Sequence, residues 1–133
     1  MLVALAAAFA LTSPAFHSGG TIPKRYTCDG ANVSPALRWT APPRRTASFS
    51  LTVFDPDAPG GGFLHWRIAH LAASTRSLPT GSRLGGLNSA GTRGWTGPCP
   101  PPGPAHHYVF TLRALGPHGR VLATARLVGL YRR

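Results

Sequence analysis

Three segments of the chain alternate apolar and polar side chains, and clusters of proline or glycine separate them. In residues 46–54, TASFSLTVF, every second residue from Phe49 is apolar, and serine or threonine fills the positions between. A period of two is that of a half-buried strand, because successive side chains point to opposite faces. The pattern recurs in residues 65–71 and 108–115. Three strands are therefore predicted, with little helix before residue 117.

Composition supports a single β-rich domain. A chain of 133 residues is long enough for one hydrophobic core. Glycine (16) and proline (14) are abundant and disfavour helix interiors. Leu37 and Trp39 follow turn signals and predict a further short strand, whereas residues 74–97 lack an apolar period and predict a surface loop. The C-terminal residues predict a helical turn followed by a closing strand, so the expected fold class is mainly antiparallel β.

The chain is strongly basic, with 14 lysine and arginine residues, three aspartates, no glutamate and a formal net charge of +11. Such an excess favours anionic partners, nucleic acid among them. The arginines are scattered singly or in pairs, however, and neither zinc-finger spacing nor an aromatic RNA-binding signature occurs. We therefore expect no nucleic-acid partner. The charge is expected to give any pocket a positive field that attracts anions.

Residues 1–8 are apolar but lack the basic residues that open a signal peptide, and they are too few to span a bilayer. They are interpreted as an apolar extension or a signal remnant ahead of one domain at residues 9–133. No transmembrane segment is expected, and the predicted compartment is the cytoplasm, with export as the alternative. Cys28 and Cys99 lie far apart without metal-binding spacing, so they are either free thiols or a pair.

The motif content excludes several enzyme classes. Without glutamate there is neither an HExxH zinc helix nor an EF-hand loop. The patterns GxxxxGK[ST], GxGxxG and GxSxG, typical of nucleotide-binding proteins and α/β-hydrolases, do not occur. Asp55 and Asp57 are separated by one residue, so they project to opposite sides of an extended segment and are poorly placed as a glycosidase pair.

Five side chains that can carry chemistry border the predicted strand ends: Asp55, Asp57, His65, His106 and Tyr108. Each alone is explained as a turn former or a solvated residue. Two carboxylates and two histidines beside stiff proline and glycine segments nevertheless favour a functional site. Two alternatives to a binding pocket stay open: a zinc, iron or manganese site, and an acid-base hydrolase. The other histidines lack this context and are interpreted as structural or surface residues.

The motifs around these residues resemble those of the phosphatidylethanolamine-binding protein family, in particular its bacterial and archaeal members, the Raf-kinase-inhibitor-like proteins. The matching stretches are IPKRYTCDGANVSPALRW, SFSLTVFDPDAPGGGFLHW, GPCPPPGPAHHYVFTLRAL and VLATARLVGLYRR. DPDxP followed by HW, and then GPxPPxxxxHxY, is a specific combination. Together the stretches cover the chain from about Phe9 to its end.

The resemblance implies a large central antiparallel sheet flanked by a smaller one, with few short helices. It also implies a small pocket at one sheet end that binds phosphate-like anions or phospholipid head groups, and a role in modulating a kinase, a protease or another signalling partner. No catalytic residue, metal or cofactor is expected. The ligand-binding residues that the motifs carry over are Asp55, Asp57, Pro59, His65, Gly97, Pro98, His106 and Tyr108.

Two departures from the family pattern stand out. The second motif usually reads HRY, whereas this chain has His106, His107 and Tyr108. Relatives also carry a further segment with a helix before GHVLA, of which only residues 119–123 remain here, and this puts the pocket wall near the C-terminus in question. The resemblance further implies that Cys28 and Cys99, both in motif loops, lie close enough to pair.

Carboxylates beside a phosphate site need an explanation, since a phosphate requires hydrogen-bond donors. We expect Asp55 and Asp57 to act on the histidines. A carboxylate accepts one ring N–H, turns the other nitrogen towards the ligand and raises the pKa of the imidazole. Asp55 is expected to face His65 across the strand pair. A zwitterionic head group such as phosphoethanolamine would give a spare carboxylate an ammonium to bind.

Overall fold

The computed structural model describes residues 8–133, which form two antiparallel β-sheets. Two 3₁₀ turns, at Lys24–Tyr26 and Pro117–Gly119, are the only helical elements in this range. The mainly β fold class is confirmed. The strands are β1 (Leu11–Thr12), β2 (Leu37–Trp39), β3 (Ser48–Asp55), β4 (Phe63–Ala72), β5 (Ser77–Leu78), β6 (His106–Leu115) and β7 (Val121–Tyr131).

The larger sheet has the strand order β4-β3-β6-β7, and the smaller one has the order β1-β2-β5. The predicted strands at residues 46–54, 65–71 and 108–115 correspond to β3, β4 and β6, and the turn and closing strand near the C-terminus are confirmed by Pro117–Gly119 and β7. The ends differ by one or two residues, since each of the three strands extends further towards one edge of the sheet.

Alternation along β3 decides which face of the large sheet meets the core. Phe49 and Leu51 are fully buried, and Leu51 lies opposite Leu112 of β6. The buried face packs against the small sheet, where the ring of Trp39 lies edge-on to that of Phe49 with centroids 5.6 Å apart. Burying a large apolar side chain stabilises the fold by about 1.5–3 kcal/mol, so these contacts fix the face on which each β3 residue lies.

One edge of the large sheet collects the end of β3 and the starts of β4 and β6. Because β3 runs antiparallel to both neighbours, Asp55 lies opposite Phe63 and close to the first residues of β6. The β3–β4 connection, residues 56–62, ends in three glycines with φ angles of 78, 92 and 110°. Residues with a side chain rarely adopt these angles, so the tight return of the chain at this edge depends on glycine.

Cys28 and Cys99 form a disulfide, with their Cα atoms 5.4 Å apart. The proximity that the resemblance implied is thereby confirmed. The amide of Cys28 also donates to the carbonyl oxygen of Pro98 at 3.1 Å, and the amide of Thr96 donates to the carbonyl oxygen of His65 at 3.0 Å. The bridge and these hydrogen bonds hold segment 96–101 against the sheet edge.

The expected apolar extension covers residues 1–8, and residues 1–7 of it lie outside the described part of the chain. Within residues 8–133, no helix has the length and apolarity needed to cross a membrane.

Candidate ligand-binding site

A cavity of about 370 Å³ opens at the edge where β3 ends and β6 begins. This volume falls in the range of small-molecule sites. Six of the eight ligand residues predicted from the motifs line it, whereas Asp57 and Pro98 do not. The lining comprises Asp55, Ala58, Pro59, Phe63, His65, Ala90, Thr96, Gly97, Cys99, Pro100, Pro101, His106 and Tyr108.

Asp55 and His106 form a hydrogen-bonded pair in the cavity wall. Nδ1 of His106 donates to Oδ2 of Asp55 over 2.7 Å, and both side chains are largely buried. Oδ1 of Asp55 accepts the backbone N–H of Asp57 at 2.8 Å. Both oxygens of Asp55 are therefore engaged, and Nε2 of His106 is the ring nitrogen left for a ligand.

The expectation that Asp55 orients His65 is wrong. Asp55 is the last residue of β3 and His106 the first of β6, and the pairing of these strands makes the two side chains neighbours. Nδ1 of His65 instead donates to the carbonyl oxygen of Thr96 over 2.7 Å. Each histidine is thus held through Nδ1, but by a different kind of acceptor.

His65 is buried between two aromatic rings, with centroid distances of 4.7 Å to Phe63 and 5.1 Å to Tyr108. This burial lowers the pKa of His65, and the hydrogen bond to Thr96 and the charge of Asp55 oppose the effect more weakly. The expected raised pKa is therefore wrong for His65, because the ring is desolvated and bonded to a neutral carbonyl. At neutral pH the ring is uncharged and Nε2 is an acceptor.

Tyr108 brings an unused hydrogen-bond donor to the cavity. Its side chain is 1% exposed, and its hydroxyl has no hydrogen-bond partner among residues 8–133. Burial raises the pKa of Tyr108 far above its ordinary value, and the charges of Asp55 and Asp57 add to the effect. The hydroxyl is therefore protonated at any physiological pH. A buried unpaired hydroxyl costs about 1–3 kcal/mol, which a ligand oxygen in the cavity would offset.

Asp57 forms a second carboxylate–histidine pair outside the cavity. Its Oδ2 accepts hydrogen bonds from the backbone N–H and from Nδ1 of His107, each at 2.7 Å. These two bonds, the backbone one first, lower the pKa of Asp57. Both side chains are exposed, in keeping with the interpretation of His107 as a structural or surface residue. The pair ties the β3–β4 connection to the start of β6, next to His106.

Gly97 forms part of the cavity wall at a point where the chain passes close to a neighbouring loop. Its amide donates to Oδ1 of Asn32 at 2.8 Å. A Cβ atom built on Gly97 would collide with Oδ1 of Asn32 and with the carbonyl oxygen of Tyr26, so this close approach requires glycine. Pro98, the other predicted residue of this motif, is fully buried.

Seven lining residues were not predicted from the motifs: Ala58, Phe63, Ala90, Thr96, Cys99, Pro100 and Pro101. Cys99, Pro100 and Pro101 lie inside the GPCPPP stretch, so extending the motif residue by residue would have found them. Thr96 acts through its backbone carbonyl oxygen, for which side-chain patterns carry no signal.

The described residues offer little to a metal ion. In residues 8–133, no group of three or more histidine, cysteine, aspartate or glutamate side chains is arranged to hold one. Both oxygens of Asp55 and Nδ1 of both cavity histidines are already in hydrogen bonds. The polar groups of the cavity are thus arranged as hydrogen-bonding partners.

Residues 12–131 match the sequence profile of the family described as phosphatidylethanolamine-binding protein. The chain belongs to this family. A protein of Methanothermobacter thermautotrophicus named UPF0098 protein is 40% identical over 149 aligned residues, covering 92% of this chain and 98% of that protein. A Mycobacterium tuberculosis protein named as a lipoprotein, LppC, is 43% identical over 107 residues, covering 77% of this chain and 53% of that protein.

Two solved structures of the family superpose closely. A phosphatidylethanolamine-binding protein homologue of Chlamydia trachomatis gives a TM-score of 0.87 at 36% identity, covering 95% of this chain and 98% of that one. The E. coli protein YbcL, described as a member of the mammalian family, gives a TM-score of 0.85 at 32% identity and covers 96% and 99%.

The shortened family segment lies away from the cavity. The turn at Pro117–Gly119 joins β6 to β7 at the end of β6 opposite to His106. The strand is ten residues long, so its two ends lie roughly 30 Å apart at about 3.3 Å per residue. Among the described residues, none beyond Tyr108 lines the cavity. All the lining residues of the cavity thus precede this turn in the described part of the chain.

Proposed function

We propose that the chain is a small binding protein whose cavity takes a phosphate group, free or as part of a phospholipid head group, without turnover. One observation carries the proposal: Tyr108, whose buried hydroxyl has no partner among residues 8–133, lines the same cavity as two histidines whose Nδ1 atoms are already bonded. Such an arrangement leaves one donor and two ring nitrogens for a ligand with several oxygens.

The three groups have different roles towards a phosphate. Tyr108 donates its O–H to a phosphate oxygen. His106, whose Nδ1 donates to Asp55, presents Nε2 to the ligand and donates from it when the ring carries both protons. His65 is neutral and accepts at Nε2, so it suits a protonated phosphate oxygen or the ammonium of an ethanolamine head group. A monoprotonated or zwitterionic phosphate matches this combination better than a fully ionised one.

The remaining predicted ligand residues have positioning roles in this proposal. Asp57 fixes the loop that carries Pro59, and Gly97 and Pro98 hold the opposite wall through the contacts with Asn32 and Cys28. Proline and the disulfide restrict these segments before the ligand arrives, which lowers the ordering cost of binding.

Two further parts of the proposal concern the biological setting. The family resemblance supports a role in which the bound protein modulates a kinase, a protease or another signalling partner. The disulfide of Cys28 and Cys99 supports an oxidising compartment, because such bridges are rare where thiols are kept reduced. The relative named as a lipoprotein supports the same choice. We therefore propose export in place of the cytoplasm.

A hydrolase is the competing function, either metal-dependent or acid-base. Among the described lining residues there is no serine, and the thiol of Cys99 is taken up in the disulfide. The cavity thus lacks the nucleophiles that histidine bases most often activate.

Calorimetric titration of phosphoethanolamine and of inorganic phosphate tests the proposal, beside an assay for phosphate release. His106→Ala removes a charge-assisted hydrogen bond worth on the order of 1.5–3 kcal/mol, so its affinity should fall at least about tenfold. His70→Ala is the matched control, because His70 is exposed on β4 and does not line the cavity. Equal losses in both variants would refute the site, and steady phosphate release by the wild type would assign the chain to the hydrolases.

A further inference from the structure

A second cavity, of about 330 Å³, adjoins the segment that walls the first one. Trp95 lines the second cavity, and Thr96 and Gly97, the next two residues, line the first. Asn32 lines the second cavity, while its Oδ1 accepts the amide of Gly97. The lining of the second cavity is Asn32, Val33, Ser34, Gly81, Ser82, Arg83, Arg93, Gly94 and Trp95.

We propose that this second cavity is a separate site for a phosphate group, carried by inorganic phosphate or by a small phosphomonoester. The site goes beyond the proposed function, because it shares no lining residue with the head-group cavity. Three observations support it: two unpaired guanidinium groups, a buried hydroxyl without a partner, and a backbone that is already fixed.

The charges of Arg83 and Arg93 have no ion-pair partner among residues 8–133. The three acidic residues of the chain are all engaged elsewhere: Asp29 with Arg133, Asp55 with His106 and Asp57 with His107. No carboxylate lines the second cavity, and within residues 8–133 neither arginine forms a salt bridge. Two guanidinium groups at one concave site match a phosphate in charge and in hydrogen-bond geometry.

Ser34 supplies the observation that points to a ligand within the cavity. The residue is 1% exposed, and its hydroxyl has no hydrogen-bond partner among residues 8–133. Its carbonyl oxygen accepts the amide of Gly81 at 2.9 Å, so the backbone at Ser34 is tied to the segment that carries Arg83. A buried unpaired hydroxyl is unfavourable unless a ligand or water completes it. A phosphate oxygen would accept its O–H.

The segment that carries Arg93 is held by one buried side chain. Oδ1 of Asn88 accepts the amides of Ala90 and Thr92 at 3.0 and 3.1 Å, and its Nδ2 donates to the carbonyl oxygen of Gly94 at 3.0 Å. These bonds fix the backbone of the turn at residues 88–94 on both sides of Arg93. The side chain of Arg93 is therefore attached to a backbone that is already held in place.

The segment that carries Arg83 is fixed from the large sheet. The indole N–H of Trp66 donates to the carbonyl oxygen of Leu84 at 2.8 Å. The amide of Gly86 donates to the carbonyl oxygen of Arg67, also at 2.8 Å. The amide of Gly94 donates to the carbonyl oxygen of Gly86 at 2.9 Å, and this bond joins the segment of Arg93 to the segment of Arg83. A charged site on a rigid frame binds an anion with less ordering cost than arginines on mobile loops.

The test is an amide NMR titration of the full chain with inorganic phosphate against chloride at equal ionic strength. The amides of Ser34, Gly81 and Gly94 should shift saturably in the wild type. In the double variant Arg83→Gln, Arg93→Gln the affinity read from these amides should fall at least about tenfold. The double variant Arg120→Gln, Arg126→Gln removes the same charge from exposed positions that line neither cavity and should keep the affinity. No saturable shift, or equal loss in both double variants, overturns the site.

Two further variants separate this site from the first cavity and from general charge effects. His106→Ala should leave the shifts of Ser34, Gly81 and Gly94 intact whatever the outcome for the proposed function. If the first cavity also binds phosphate, the variant should weaken the shifts at Tyr108 alone. Ser34→Ala should lower the phosphate affinity without lowering the melting temperature, since it removes an unsatisfied hydroxyl. Unchanged affinity in Ser34→Ala would contradict the assignment. Tighter binding of glycerol 3-phosphate supports a phosphomonoester, and equal binding supports the free anion.

Discussion

The Nδ1 atom of His106 lies 2.7 Å from Oδ2 of Asp55, although the two residues are 51 positions apart in the sequence. One residue ends β3 and the other begins β6. Two positions further along the β3–β4 connection, Asp57 makes the same kind of bond to His107 at the same distance. The pair Asp55–His106, the inner pair, lines the cavity, whereas the pair Asp57–His107, the outer pair, does not. Variants of the outer pair can therefore serve as controls for variants of the inner pair.

Asp55→Asn should weaken phosphoethanolamine binding much more than Asp57→Asn. The first change removes the carboxylate that orients His106, and losing a hydrogen bond to a charged group costs on the order of 1.5–3 kcal/mol. The second changes an exposed contact and should cost less than about 1 kcal/mol of affinity. Calorimetric titration of both variants gives the comparison. An equal loss, or a larger loss in Asp57→Asn, would contradict the assignment of inner and outer roles.

Tyr108→Phe should separate stability from binding. The change removes a buried hydroxyl that has no partner among the described residues, so the free energy of unfolding should stay equal or rise by about 1 kcal/mol. Ligand affinity should fall, because the donor to the phosphate is lost. Urea unfolding and calorimetry on the same sample measure both. A destabilised variant with unchanged affinity would show that the hydroxyl has a structural role.

The free energy of unfolding should decrease as the pH falls below about 6.5. Burial lowers the pKa of His65 in the folded protein below its ordinary value of 6.5. In this range the unfolded chain binds the proton more readily, so protonation favours unfolding. His65→Gln should flatten this dependence between pH 6.5 and the folded pKa. The lowered pKa values of Asp29 and Asp57 act near and below 3.8, outside this window. An identical slope in the variant would argue against the burial effect.

Loss of the disulfide should destabilise the fold and loosen one cavity wall. The bridge joins residues separated by 71 positions, and a loop of this length corresponds to about 4 kcal/mol in the chain-entropy description, with typical losses of 2–5 kcal/mol. Cys28→Ser combined with Cys99→Ser should therefore lower the melting temperature and the head-group affinity together. Reductant should have the same effect on the wild type and none on the double variant. Equal stability with and without reductant would mean that the bridge contributes nothing to the fold.

Much of the large sheet could be predicted because its strands and turns are determined by patterns within short stretches of sequence. The alternation around Phe49 and the glycines that follow Asp55 determine strand and turn within a few residues of each other. β1 and β5, with two residues each, are too short to show a period. The loop of residues 74–97 carries no period either, so the cavity at Arg83 and Arg93 had no signal in the sequence.

The chemistry of the cavity at Asp55 and His106 was harder to predict than its location. Motif positions brought Asp55, His65 and His106 to one edge, but the choice of partner depends on which strands pair. The lowered pKa of His65 arises from burial between Phe63 and Tyr108, which is a property of the packed core. The unpartnered hydroxyl of Tyr108 is likewise visible only once every neighbour is in place.

The strand order β4-β3-β6-β7 also has a consequence for the folding pathway. β3 with β4, and β6 with β7, are hairpins of neighbouring strands, and such local pairings form within microseconds. The junction between β3 and β6 instead requires closure of a long loop, which is the slow step in sheets rich in distant contacts. Asp55 and His106 meet only at that junction. The pairing of Asp55 with His106 therefore requires that the two hairpins have docked, so the ability to bind reports on that docking.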